Sequence, residues 1–186
     1  GAGNVLLAMA WWAAWLCSAR GWLPPMRQPT LPAGWMHALV MQYQVLPPFI
    51  FGFALTVFPR WLGLPALSKW HYVPVGLGLL GGQLLTLGGL LGYPQLLFFG
   101  WVQTLAGWIA ALCVLLDLLR RDEGGDWHAR SVACALTFGL FGIGLVMAWL
   151  YTGNAKLLYA AVKFGGFGLL LPIYFTVNHR MTPFFV

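Results

Sequence analysis

Charge, and acidic charge above all, is what this chain has least of. Its 186 residues include only four Asp+Glu and ten Lys+Arg, 8% charged in all, where an ordinary soluble domain carries about 25%. So few charges cannot cover a water-soluble domain of this length, so lipid must be the solvent for most of the outer surface. Cysteine is scarce too. Cys17, Cys113 and Cys134 lie inside apolar runs with no CxxC pair, which argues against a disulfide framework and reads as small buried hydrophobes. No P-loop, nucleophile elbow or dinucleotide fingerprint is present. GLGLLGG resembles a glycine-rich loop but lies in an apolar run. No carboxylate pair falls inside an apolar run, as a proton relay would use. Asp117 has Arg120 and Arg121 three and four residues later, an intrahelical ion pair. Nor does the net charge of +6 point to nucleic acid. The basic residues stand singly at the ends of apolar runs, without the Lys/Arg clusters and interleaved aromatics of a nucleic-acid surface. Cations so placed anchor to headgroups.

What the chain does have is long greasy stretches, 60% of it being hydrophobic. A spanning helix needs about 20 mostly apolar residues. Six segments meet or approach that length: Gly3 to Cys17, Met36 to Phe58, Val73 to Leu91, Gln95 to Leu119, Ser131 to Tyr151 and Leu157 to Val177. Backbone groups in lipid must be satisfied internally, and no sustained alternation suggests a barrel. The predicted fold class is therefore all-α, a polytopic transmembrane bundle of about six helices in one domain. No start methionine is present, the chain opens inside an apolar run, and it closes without a polar tail. The native polypeptide is therefore expected to be longer.

Loop composition sets orientation. Arg20, Arg27 and Lys156 fall on one side, and Arg60, Lys69, Arg120, Arg121, Arg130 and Arg180 on the other. The excess predicts that the second side, with both chain ends, faces the cytoplasm. Trp22, Trp35, Trp61, Trp70, Tyr93, Trp127 and Tyr151 sit at segment ends, as interfacial anchors do. Gly78 and Gly82, and likewise Gly88 and Gly92, are spaced for close helix approach.

Two places carry residues able to do chemistry. In WMHALVMQYQVLPPFIFGF, His37, Met41 and Gln44 follow at helical spacing and share a face. That face is expected to point inward, since polar groups in lipid are expensive. An imidazole and a thioether one turn apart suit a soft or borderline metal or a haem iron. The bland alternative is an interfacial histidine beside a core methionine. Pro47-Pro48 predicts a kink in the same helix. The second place is the end of the last segment, YFTVNHRMTPFF, where His179 is a candidate metal ligand and Arg180 a candidate anion partner. Its alternative is a cationic cap that the helix dipole favours. His37 and His179 fall near opposite membrane faces, so one metal cannot be held by both. His71 and His128 lie in loops on the His179 side, and either is able to join it. Lys163 stands about 9 Å inside the last segment, at about 1.5 Å per residue, where it either snorkels or functions.

The string HALVM followed by GFALTVFPRWLG resembles the NnrS family of bacterial membrane proteins, whose members read HAHEM and then GF-L-TA-P-W-G. His37, Ala38 and Met41 match the first block; Gly52, Phe53, Leu55, Thr56, Pro59, Trp61 and Gly63 match the second. The closing HRMTPFF is similar to the family's Arg-x-x-Pro-x-Phe element, with Arg180, Pro183 and Phe185 in register. The resemblance implies a haem- and copper-containing protein of the bacterial cytoplasmic (inner) membrane, associated with denitrification and nitric oxide tolerance. It also implies about twelve helices of spanning length, of which this chain would be the first half. Leu39 and Val40 replace the second His and the Glu of HAHEM, and leucine cannot ligate a metal.

The leading expectation is accordingly an NnrS-like protein in which His37 and His179 hold haem or copper, with Met41 and tryptophans shaping the pocket. The alternative is a cofactor-free accessory subunit of a respiratory or photosynthetic membrane complex, docked through glycine-lined faces or as a homo-oligomer. A transporter ranks last, since inverted repeats and paired broken helices are not evident.

Overall fold

The structure, a computed structural model, describes residues 1–26 and 31–182. Arg27, Pro183 and Phe185 lie outside the described residues. Among the described residues six helices are long and apolar enough to cross a membrane: α1 (Ala2–Ala19), α2 (Ala33–Trp61), α3 (Lys69–Leu90), α4 (Pro94–Arg120), α5 (Trp127–Thr152) and α6 (Ala155–Met181). No strand occurs among the described residues. The helices match the six apolar segments and overrun most of their ends, because polar and aromatic interfacial residues continue each helix beyond its greasy part.

Local chemistry marks the ends. Pro94 opens α4 at its first turn, where a missing N–H costs nothing. The Asp126 carboxylate caps α5 by accepting from the backbone N–H groups of His128 and Ala129. The Asn154 side chain caps α6 by accepting from the Lys156 N–H. Between these two helices Gly153 takes φ +69°, the left-handed turn that glycine adopts at no steric cost.

The closest packing is the antiparallel hairpin of α3 and α4. Gly78 lies against Gly107, and Gly82 against Gly100 and Thr104, so closely that a methyl group on any of these glycines would collide with the facing backbone. Backbones so near gain dispersion contacts that larger side chains would prevent. The Gly78 and Gly82 face is thus used inside the bundle and is not free for a partner. Gly92, read as part of a packing pair, is instead a turn residue with φ +128°.

Among the helices α2 is deeply enclosed, and α1 is the least buried of the six. The core holds Trp101, Trp108, Tyr43, Phe51 and Phe58, all essentially without exposure. Cys113 and Cys134 correct an expectation: both are exposed. Inside an apolar run a helix still turns one side outward, and in lipid that side needs no polarity, so hydropathy alone does not separate core from lipid-facing positions.

Candidate functional site

The prolines of α2 set the geometry at the centre of the bundle. The helix is π-helical over Met41–Val45, and the Leu46 N–H donates to the Met41 carbonyl five residues back, at 3.0 Å. In an unbroken α-helix the carbonyls of Tyr43 and Gln44 would accept from residues 47 and 48. Both are proline and have no N–H. The freed carbonyls are served from other helices. Trp108 Nε1 donates to the Tyr43 carbonyl at 3.1 Å, and Asn4 Nδ2 donates to the Gln44 carbonyl at 3.1 Å. The Gln44 side chain in turn donates to Thr86 Oγ1 at 2.8 Å and Thr104 Oγ1 at 2.9 Å. Gln83 Nε2 donates to the Asn4 carbonyl at 2.7 Å. Asn4, Gln44, Gln83, Thr86 and Thr104 are all buried. They tie α1, α2, α3 and α4 together where a lipid solvent offers no other partner.

On its other side the same π turn meets α6. The Tyr43 hydroxyl donates to the Ala161 carbonyl at 2.6 Å, and Gln42 Nε2 donates to the Val162 carbonyl at 3.3 Å. Those carbonyls lie three and two residues before a second π segment, Phe164–Leu170. Gly142 and Gly165 leave the space that the Tyr43 hydroxyl and the Gln42 amide occupy. π turns are common where a helix is shaped for function.

His37 lies one turn before this irregularity. Its ring stacks on Trp12 with centroids 4.4 Å apart and planes 12° from parallel, and Trp15 stacks on Trp12 at 5.5 Å. The His37 Nδ1 is buried and has no hydrogen-bond partner among the described residues. An imidazole nitrogen left unused and held in place by a stacked indole fits a metal ligand. Met41 is partly buried on the next turn. Gln44, which lies within the π segment, is fully buried and bonded to Thr86 and Thr104. Among the described residues no group of three or more His, Cys, Asp or Glu is arranged around a metal.

The other face gathers a different cluster. Arg180 Nη1 donates to Asp126 Oδ2 at 2.5 Å and to His128 Nδ1 at 3.2 Å. The guanidinium also covers the Trp61 ring at 4.4 Å. His128 Nε2 lies 3.1 Å from His179 Nδ1. Arginine carries only donors, so His128 Nδ1 accepts. Neutral His128 then bears its proton on Nε2 and donates it to His179. For Asp126, burial raises the carboxyl pKa. The Ala129 N–H, the Arg180 charge and hydrogen bond, and the His128 N–H outweigh it and hold the carboxyl below its ordinary value. His71 is elsewhere, bonded through Nδ1 to the Ser68 hydroxyl at 3.0 Å. Of the histidines on this side, only His128 and His179 meet. Arg180, expected to await an anion, already has a carboxylate partner.

His37 and this cluster are on opposite faces. The stretch of α2 from His37 to Trp61 is about 36 Å long at about 1.5 Å per residue, and Trp61 is the residue that Arg180 covers. Lys163 lies over Tyr159 at 5.3 Å and Phe167 at 5.4 Å, a cation–π arrangement on the exposed side of α6. A cavity of about 500 Å³ between α1, α2 and α3 has Asn4 in an otherwise largely apolar wall and includes none of His37, Met41, His179 or Arg180.

Sequence reasoning missed the polar knot around Gln44 and the Asp126–Arg180 pair. The first had a signal: Pro47-Pro48 names the carbonyls that lose their amides, and Asn4, Gln83, Thr86 and Thr104 are polar residues stranded in apolar runs. The second had none, because contacts between residues 54 apart depend on how the helices assemble.

No curated protein and no solved structure matched this chain. A family model described as NnrS protein matches residues 1–186. The two motif elements that suggested this relationship converge in space, Trp61 of the first lying under Arg180 of the second. The chain belongs to the NnrS family.

Proposed function

We propose that this multi-pass membrane protein binds a redox-active metal, copper or haem iron, through His37, and acts in the bacterial response to nitric oxide. The buried Nδ1 of His37 under Trp12, without a partner among the described residues, carries the reading. Burying a polar nitrogen without a partner costs about 1–3 kcal/mol, and coordination would offset that cost. Met41, one turn on, offers a soft thioether on the same side. Such a centre would supply one-electron chemistry. The protein's own part is to hold the imidazole in place: Trp12 fixes the ring plane, and the π turn beyond Met41 fixes the helix.

Family membership and the retained His37 and Met41 support this reading. Leu39, which is fully buried, cannot supply the second ligand of the HAHEM pattern. The remaining positions must come from Met41, from small molecules, or from protein beyond this chain. The proposed setting is the cytoplasmic membrane with both ends of this segment inside, following the Lys/Arg asymmetry. The test is an optical difference spectrum of the native protein, purified from membranes, with and without nitric oxide. A nitric-oxide-dependent metal band that is lost in His37→Ala supports the proposal. No spectral change in the native protein contradicts it.

A further inference from the structure

We propose that the exposed face of α6 around Lys163 and Phe167 receives a transmembrane helix from outside this bundle, one that brings a carboxylate to Lys163 and a hydrogen-bond donor to the carbonyl freed by Pro172. Lys163 is exposed and stands about 12 Å beyond the start of α6, at about 1.5 Å per residue. Its ammonium lies 5.3 Å from the Tyr159 ring and 5.4 Å from the Phe167 ring, one turn before it and one turn after. It therefore extends straight out from the helix and does not bend toward the nearer membrane surface, as a snorkelling lysine would. The ion pairs among the described residues are at Asp117 and Asp126, toward the other membrane face, and none reaches Lys163. Cations within spanning segments are costly and pair with protein groups.

The backbone beside Lys163 points to a second contact. The Leu171 N–H donates to the Gly166 carbonyl five residues back. The next carbonyl in that register, that of Phe167, falls to Pro172, which has no N–H. Phe167 is exposed and stands near the middle of Ala155–Met181, where lipid tails offer no donor. At Pro47 and Pro48 the freed carbonyls are served from inside the bundle by Trp108 and Asn4. Among the described residues, side-chain donors from other helices reach α6 only at the Ala161 and Val162 carbonyls. A lipid headgroup answers the ammonium and leaves the carbonyl, about 6 Å deeper, unserved. A second copy of α6 brings another lysine and no carboxylate. A helix carrying Asp or Glu, with Ser, Thr, Asn, Gln or Trp one to two turns away, answers both.

The test is photo-crosslinking in native membranes, with benzoylphenylalanine in place of Phe167 in the full chain, followed by mass-spectrometric sequencing of the attached peptide. The expected product is a peptide from an apolar spanning segment that contains an Asp or Glu. Its yield should fall about tenfold in Lys163→Met, as loss of one member of a buried charge pair predicts, and persist in Lys163→Arg. Lys163→Glu should abolish it, and exchange of the partner's acid for lysine should restore it. Should Lys163→Met fail to fold, the sequence of the peptide captured by the otherwise wild-type chain decides. Adducts to lipid alone, a peptide from a described helix of a second copy, a spanning peptide without an acidic residue, or a yield indifferent to a folded Lys163→Met would each overturn the proposal.

Discussion

Trp108 donates its indole N–H to the Tyr43 carbonyl across 3.1 Å, the carbonyl that a regular helix would have paired with residue 47. A tryptophan on α4 thus completes a hydrogen bond that a proline on α2 cannot make. In lipid, where no water can stand in, such borrowed donors allow a helix to be broken at its middle.

This relationship predicts a specific coupling. Trp108→Phe keeps most of the buried ring and strands the carbonyl, at a cost of about 1–3 kcal/mol. Pro47→Ala restores an N–H that can turn to the same carbonyl, so Trp108→Phe should cost less in a Pro47→Ala background. Thermal unfolding in detergent across the double-mutant cycle reads the difference. Additive effects would show that the two residues do not share the carbonyl.

Gly142 is a second point of contact. A methyl group there runs into the Tyr43 hydroxyl, so Gly142→Ala should destabilise the protein by about 1–3 kcal/mol. Tyr43→Phe removes the obstructing oxygen and should recover part of that loss despite forfeiting the bond to Ala161. Proteolysis of the single and double variants in detergent compares them.

The Asp126–Arg180 pair predicts a dependence on pH. The Asp126 carboxyl titrates below its ordinary value of 3.8 in the folded protein. Its stabilising contribution is therefore fully present above that value and is lost as pH falls through the lower, folded one. The stability gap between wild type and Asp126→Asn should stay level from neutral pH down to about 5 and close only in stronger acid. A gap that closes between about pH 8 and 6 would assign the effect to the histidines instead.

Orientation has its own check. Gly124→Cys, in a background with Cys17, Cys113 and Cys134 replaced, places a thiol in the α4–α5 loop. A membrane-impermeant maleimide should leave it unmodified in intact cells and label it after lysis. Labelling of intact cells would reverse the assigned sidedness.

The spans were legible in the sequence because lipid imposes a length and an apolar composition on any helix that crosses it. The Met36–Phe58 segment and the observed Ala33–Trp61 helix differ only by interfacial residues. The kink at Pro47-Pro48 was legible too, since a missing N–H is a property of one residue. Its resolution as a π turn paired through Trp108 and Asn4 was not, because the donors come from α4 and α1. The face shared by His37, Met41 and Gln44 rests on counting α-helical residues, and the π turn at Met41–Val45 is a departure from that count that the sequence did not announce. His179 stands out in the sequence for its position at a helix end. Its partner His128 could only be named as one of two loop histidines, because His71 and His128 look alike until the fold separates them.

The centre at His37 is the claim on which the functional account turns, and metal analysis tests it most directly. Native protein purified from membranes, assayed for copper and for haem per chain, should contain at least one of them, and His37→Ala should lose it while remaining folded. A native protein with neither metal, or a His37→Ala protein that retains its full complement, would contradict the account.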